Sequence, residues 1–156
     1  MVEKVDIDEM DRAILRVLQA DGRLSIQDLS ARVGLSPSPC SRRVRLLEEK
    51  GVISGYCALV DERKLGYGVS VFVSVKLDKQ IDDALRTFEA AVIGCSEVVD
   101  CWLMTGTRDY LLRIATADLA EFEAFLTSRL TRIAGVAAIE SSIPLRRVKA
   151  GMSRSV

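Results

Sequence analysis

Between Ser36 and Arg45 the chain carries the serines Ser36, Ser38 and Ser41 and the arginines Arg42, Arg43 and Arg45. Hydroxyl side chains this short can approach the edges of stacked bases, and guanidinium groups reach guanine or phosphate oxygens, so the set is suited to the major groove of duplex DNA. A second group lies in Thr105-Gly106-Thr107-Arg108-Asp109. Here Gly106 lets backbone amides come close to an anion, and Asp109 can accept from an ammonium, which together would suit an amino acid. Two plainer readings stand beside these: Gly106 as a hairpin glycine and Asp109 as an acid that orders its own turn.

The rest of the composition offers little catalytic chemistry. Histidine is absent, which removes the commonest general base and metal ligand; no metal or other cofactor is expected. Cys40, Cys57, Cys95 and Cys101 include no C-x-x-C pair, so they read as buried free thiols. An enzyme with Asp109 as base and Cys101 as nucleophile is the rival from another class. It is disfavoured because Asp109 has no evident orienting partner and Cys101 lies in an apolar strand next to Asp100.

Helical spacing must position the first group. Ile7, Met10, Ile14, Leu15 and Leu18 follow one helical face, with Asp8 and Asp11 at its start where the helix dipole favours anions; this first helix ends at Asp21-Gly22. Ser25 and Asp28 cap a second helix, from Ile26 to Val33. Gly34 suits a left-handed helix end, and Ser36-Pro37 starts a third helix that runs to Lys50 with Cys40, Val44 and Leu47 facing inward. Ser36 reads first as a cap. Arg42 and Arg45 have no evident structural duty, whereas Arg43 can cross to the first helix or to a phosphate. Val52 to Tyr56 reads as a short strand pair, a wing beside the helices. Two helices joined by a tight glycine turn, the second exposing small polar residues and arginines, make a helix-turn-helix, beside the plainer reading of a solvated arginine face on an ordinary three-helix bundle.

Charge is balanced overall, with 22 basic and 22 acidic residues, but distributed unevenly. The first eleven residues are acidic, residues 32–50 are basic, and Arg146, Arg147, Lys149 and Arg154 crowd the end without an acid. After the charged stretch Asp61-Glu62-Arg63-Lys64 the pattern becomes mixed: a strand from Val69 to Leu77, a helix from Ile81 closed by Gly94, and strands Val98 to Met104 and Tyr110 to Ala115. A helix from Leu119 to Ile133 and a strand from Val136 to Leu145 complete it. This order predicts a ferredoxin-like α+β plan with both helices on one side of an antiparallel sheet. The other sheet face then needs a cover, and a second copy of the chain would supply it, giving a homodimer.

These residues resemble the Lrp/AsnC family of leucine-responsive and feast/famine regulators over nearly the whole chain. The resemblance rests on Asp8-x-x-Asp11-x-x-Ile14-Leu15, Asp21-Gly22-Arg23-x-Ser25, Gly34-Leu35-Ser36-Pro37-Ser38-Pro39-Cys40-Ser41-Arg42-Arg43-Val44, Leu47-Glu48, and Gly51-Val52-Ile53-x-Gly55-Tyr56. In the second half it rests on Cys101-x-x-x-Thr105-Gly106-x-x-Asp109-Tyr110. It implies a winged helix-turn-helix over residues 1–60, a hinge strand in a linker over 61–68, and an effector-sensing, oligomerising domain over 69–156. It further implies an amino-acid effector and dimers that assemble to octamers. It adds Pro39 to the DNA-binding set. The effector candidates are Leu103, Thr105, Gly106, Thr107, Asp109 and, from the facing last strand, Ser142, although Leu103 and Met104 read first as core. Ser41 departs from the larger apolar residue of many relatives, and Thr107-Arg108 also varies. The expected function is a DNA-binding transcriptional regulator of the cytoplasm. The alternative is a constitutive architectural DNA-binding protein whose second domain serves only assembly.

Overall fold

The computed structural model describes residues 5–149, 151 and 156. The chain divides into two compact units, one of residues up to 59 together with the described residues 151 and 156, the other of residues 60–149, so the second unit ends before the expected 156. Residues 61–68 accordingly pack with the second unit. Arg154 lies outside the described residues.

In the first unit, α1 (Glu9–Ala20), α2 (Ile26–Val33) and α3 (Pro37–Glu49) close around Ile14, Leu15, Leu29, Cys40, Val44 and Leu47. Spacings of three and four residues put these side chains on the inner helix faces, and the polar ones outward. Asp8 does more than complement the helix dipole. Its carboxylate accepts from Asp11 N–H while the Asp11 carboxylate accepts from Asp8 N–H, a reciprocal capping box.

The strand pair expected over Val52 to Tyr56 does not form. Gly51 turns the chain at φ 67°, and the amides of Val52 and Ile53 both donate to Leu47 O, so they finish the helix in place of a ladder. Residues 55–61 continue without a strand, and the hinge strand implied by the resemblance is replaced by a 3-10 turn, Glu62–Leu65.

The second unit is a four-stranded antiparallel sheet in the order β2-β3-β1-β4, made of β1 (Val69–Leu77), β2 (Val98–Leu103), β3 (Tyr110–Thr116) and β4 (Val136–Ser142). The helices α4 (Asp82–Ile93) and α5 (Leu119–Ser128) lie on one side of it. Alternation along β1 sends Val71, Val73, Val75 and Leu77 to that side, where they meet Leu112, Ile114, Phe88, Val92, Phe122 and Phe125. Phe88 and Tyr110 place their ring centroids 4.5 Å apart, and the Tyr110 hydroxyl donates to Glu89 at 2.8 Å. Burial, and then the Glu89 carboxylate, push the Tyr110 hydroxyl far above its usual range. The opposite face bears Phe72, Ser74, Leu111, Trp102, Glu140 and Ser142 and carries no helix among the described residues.

Two elements end sooner than the sequence pattern predicts. The last helix stops at Ser128, where Thr127 and Ser128 hydroxyls bond back to carbonyls of the preceding turn, and a 3-10 turn, Leu130–Arg132, follows. The last strand stops at Ser142 and not Leu145, because Pro144 offers no N–H and restricts Ile143 before it. The cysteines also divide. Cys40 and Cys95 are buried, but Cys57, in the unpaired segment after α3, and Cys101, on the edge strand, are exposed; all four are free.

Candidate functional site

The turn between α2 and α3 is made by Gly34 at φ 73°, a left-handed position that a side chain would strain, with Leu35 N–H donating to Ser30 O at 2.9 Å. Ser36 stands at the N-cap of α3 with Pro37 behind it, but its hydroxyl makes no capping bond, contrary to the cap role read from the sequence. Proline's fixed φ starts the helix without that bond. With Cys40, Val44 and Leu47 turned into the core, Ser38, Ser41, Arg42 and Arg45 fall at helical spacing along the exposed side, and Pro39 is exposed at the helix start.

The three arginines have different surroundings. Arg42 has no ion pair among the described residues. Arg45 pairs with Glu49 one turn on, its Nε 3.4 Å from the carboxylate, on a side chain that is 69% exposed. Such an exposed pair is worth under ~1 kcal/mol and yields readily to a phosphate. Arg43 takes the first of the two routes that the sequence left open: a single terminal nitrogen lies 2.7 Å from Asp8 Oδ2 and 2.7 Å from Asp11 Oδ1, both of α1. These bonds raise the Arg43 pKa and, after the cap bond from Asp11 N–H, lower that of the Asp8 carboxyl. Lower on the same unit, Tyr56 donates to Glu48 at 2.9 Å, and burial with that carboxylate pushes its hydroxyl up to about 12.

In the second unit the turn between β2 and β3 holds Thr105, Gly106, Thr107 and Arg108, the first three of them exposed. Gly106 sits at φ 116° with open space where a Cβ would be, so backbone conformation and not a close approach calls for glycine here. Asp109 is 4% exposed and already engaged: Oδ2 accepts from Leu77 N–H at 2.7 Å, and Oδ1 accepts from the Gln80 side-chain amide. Its amide donates to Val75 O at 2.9 Å, and Met104 N–H donates to its carbonyl at 2.8 Å. Arg108 reaches Glu140 of β4 at 2.9 Å.

Leu103 and Met104 are not core residues, being 60% and 44% exposed. Leu103 lies at the end of an edge strand, at the rim of the helical layer, and Met104 begins the turn. Ser142 is exposed on the open sheet face, opposite Phe72, whereas Leu103 shares the helix side with Tyr110. It is also three residues along the ladder from the turn end, or ~10 Å, and two strand spacings from β3, another ~10 Å. A single chain therefore does not bring Ser142 to Gly106. Sequence reasoning missed the partners of these residues, Gln80, Leu77 N–H and Glu140, because each lies about thirty positions away.

The rival enzyme has little to work with. Burial and the nearby Glu89 carboxylate push the Cys101 thiol up to about 11, which leaves almost no thiolate at neutral pH. No cluster of potential metal ligands and no helix long and apolar enough to cross a membrane occurs among the described residues.

Comparison with known proteins agrees with both halves of this geometry. Residues 7–54 match a winged helix-turn-helix DNA-binding family, and residues 70–153 match the Lrp/AsnC ligand binding domain. The chain is 50% identical over 143 residues to the Bkd operon transcriptional regulator of Pseudomonas aeruginosa, covering 92% of this chain and 94% of that one. It is 41% identical over 149 residues to the leucine-responsive regulatory protein of Rhizobium meliloti, covering 96% of each. Among solved structures, a transcriptional regulator from Neisseria meningitidis in complex with L-Met superposes with a TM-score of 0.91 at 38% identity over 96% of both chains. An AsnC family regulator from Agrobacterium tumefaciens superposes with a TM-score of 0.88 at 36% identity, covering 95% of this chain and 96% of that one. These relatives are regulators of transcription and not enzymes, and with both of its domains matched the chain belongs to the Lrp/AsnC family of transcriptional regulators, with a DNA-binding helix-turn-helix and a ligand-binding domain.

Proposed function

We propose that this regulator recognises specific DNA sequences as a homodimer, assembles further to octamers, and changes its DNA occupancy on binding an amino acid in the cytoplasm. The observation that carries the DNA part is the exposed line Ser38, Ser41, Arg42 and Arg45 along α3, none of which the core needs. Short hydroxyls and Pro39 at the helix start would lie near base edges, and the arginines would supply guanine or phosphate contacts. Ser36, whose hydroxyl is not spent on a cap, is available to the same surface.

Dimerisation is supported by the open sheet face, where Phe72, Leu111 and Trp102 have no helix above them among the described residues. A two-fold dimer would present two α3 helices to two half-sites. The amino-acid effector is supported by the L-Met complex of the Neisseria relative and by the exposed turn Thr105 to Thr107. Because one chain keeps Ser142 away from that turn, a ligand touching both would lie between copies, with Leu103 supplying apolar contact. A tenfold change in DNA occupancy then requires the ligand to distinguish the two assemblies by ~1.4 kcal/mol.

The test is a thermal-shift screen of the twenty amino acids, with each hit repeated by light scattering. A selective rise in apparent stability at saturating ligand, accompanied by a change in oligomer size, is expected. No hit from a preparation that still binds duplex DNA with steep salt dependence would overturn the sensing part and favour an architectural regulator.

A further inference from the structure

We infer that Arg43 is a positioning residue for DNA recognition and not a DNA contact: its guanidinium pins α3 to α1 through Asp8 and Asp11, and so fixes the orientation in which Ser38, Ser41, Arg42 and Arg45 are presented. The inference rests on the DNA-reading role proposed above for α3, and concerns which of its residues touch the nucleic acid.

The argument comes from how four carboxylate oxygens are divided. Asp8 Oδ1 accepts from Asp11 N–H at 2.8 Å, and Asp11 Oδ2 accepts from Asp8 N–H at 3.3 Å; these two bonds close the capping box. The two oxygens left over, Asp8 Oδ2 and Asp11 Oδ1, each lie 2.7 Å from the same terminal nitrogen of Arg43. The cap of one helix is thus the receptor for a cation of another, 35 and 32 residues away in sequence. A hydroxyl would cap α1 as well as an aspartate does, but only a carboxylate leaves a second charged acceptor for the arginine. Two acids on a surface that must meet phosphate carry an electrostatic penalty, which holding α3 in place offsets. Arg43 is also the least exposed partner in its bridge to Asp8, at 29% against 54%. Swinging the whole guanidinium out to a phosphate would break both bonds and leave Asp11, only 18% exposed, without its cation, whereas the nitrogens that make neither bond are held in place by them.

The deciding experiment uses the full chain and a duplex that the wild type enriches from a random pool. Affinity is measured across a range of salt at a temperature where circular dichroism shows every variant fully folded. The variants are Arg43→Gln, Asp11→Asn and the double substitution, with Asp8→Asn as a companion because asparagine keeps the N-cap and the fold. If Arg43 positions α3, Arg43→Gln and Asp11→Asn each weaken binding by about fivefold, part of the worth of one base contact. The double variant is then no weaker than either single one. The slope of log K against log salt stays at the wild-type value. The sign at Asp11 discriminates most sharply, because removing an acid from a DNA-binding surface strengthens binding unless that acid holds something in place. Tighter binding by Asp11→Asn, or a slope reduced by ~0.9 in Arg43→Gln, would make Arg43 a phosphate contact and overturn the inference. Arg42→Gln tests the underlying reading separately, since loss of its own phosphate contact lowers the slope whatever Arg43 does. A wild type that enriches no duplex would remove that reading and this inference with it.

Discussion

Replacing Asp109 separates a structural acid from a ligand-binding one. In Asp109→Ala the N–H of Leu77, a residue 2% exposed, loses the carboxylate oxygen 2.7 Å away. An orphaned buried donor costs about 1–3 kcal/mol, and a hydrogen bond to a charged acceptor lies at the upper end of that range. Gln80 is exposed and can turn to solvent, so its lost bond adds less, about 0.5–1 kcal/mol. The sum is about 3–4 kcal/mol. Asp109→Asn keeps one acceptor for Leu77 N–H, and Gln80 can rotate its amide to accept from the new NH2 group; that variant costs about 1 kcal/mol. Urea unfolding followed by fluorescence of Trp102, the single tryptophan, reports on the unit that contains both residues. Protomer concentration must be held constant, because association contributes to apparent stability. An alanine variant within about 0.5 kcal/mol of wild type would refute this account and return Asp109 to the role of a free acceptor for an ammonium.

Phe88→Ala, at a side chain with no exposed surface that stacks on Tyr110, is expected to cost about 3–5 kcal/mol in the same assay. The Glu62 carboxyl, held below its usual value first by Arg113, which donates at 2.9 and 3.0 Å, contributes stability that is complete above the ordinary carboxylate range. Because the folded value is the lower one, that contribution fades as pH falls through it, so the difference between wild type and Glu62→Gln, under ~1 kcal/mol, shrinks to nothing in acid. Gly106→Ala should destabilise by about 1 kcal/mol although its methyl group meets nothing, because only the backbone at φ 116° resists it; paired urea curves would reveal the difference. Cys101, with its thiol pushed up to about 11, should react with iodoacetamide slowly at neutral pH and tenfold faster per pH unit up to that value, as mapped by mass spectrometry.

Local chemistry is what the sequence displays best. Ile26–Val33 and Val69–Leu77 form as their patterns predict, because cap, period and turn residues all lie within a few positions of one another. The ferredoxin-like order was legible for the same reason. The strand pair after α3 was not, since Val52 and Ile53 are good strand residues whose amides are claimed by Leu47 O. Leu103 read as core because apolarity does not reveal that its strand lies at an edge. Within the candidate sites, residue types were visible but the partners of Asp109 and Arg108 were not. Asp8-x-x-Asp11 announces a helix start, and the sequence offers Arg43 a crossing to that helix without naming which of its residues receive it.

The bonds at the base of the β2–β3 turn have an evolutionary consequence. Met104 N–H to Asp109 O, Asp109 N–H to Val75 O and the Asp109 carboxylate to Leu77 N–H secure both ends of the turn from residues outside it. Thr105 and Thr107 hang from this frame in the open and contribute nothing to the core. Exchanges at these two positions are therefore nearly neutral for folding, and, on the effector role proposed for this turn, a gene duplicate could drift toward a new ligand without first acquiring a compensating stabilising change. Heritable variation in the turn becomes separable from the requirement to fold, a division that favours diversification of the turn over replacement of the frame.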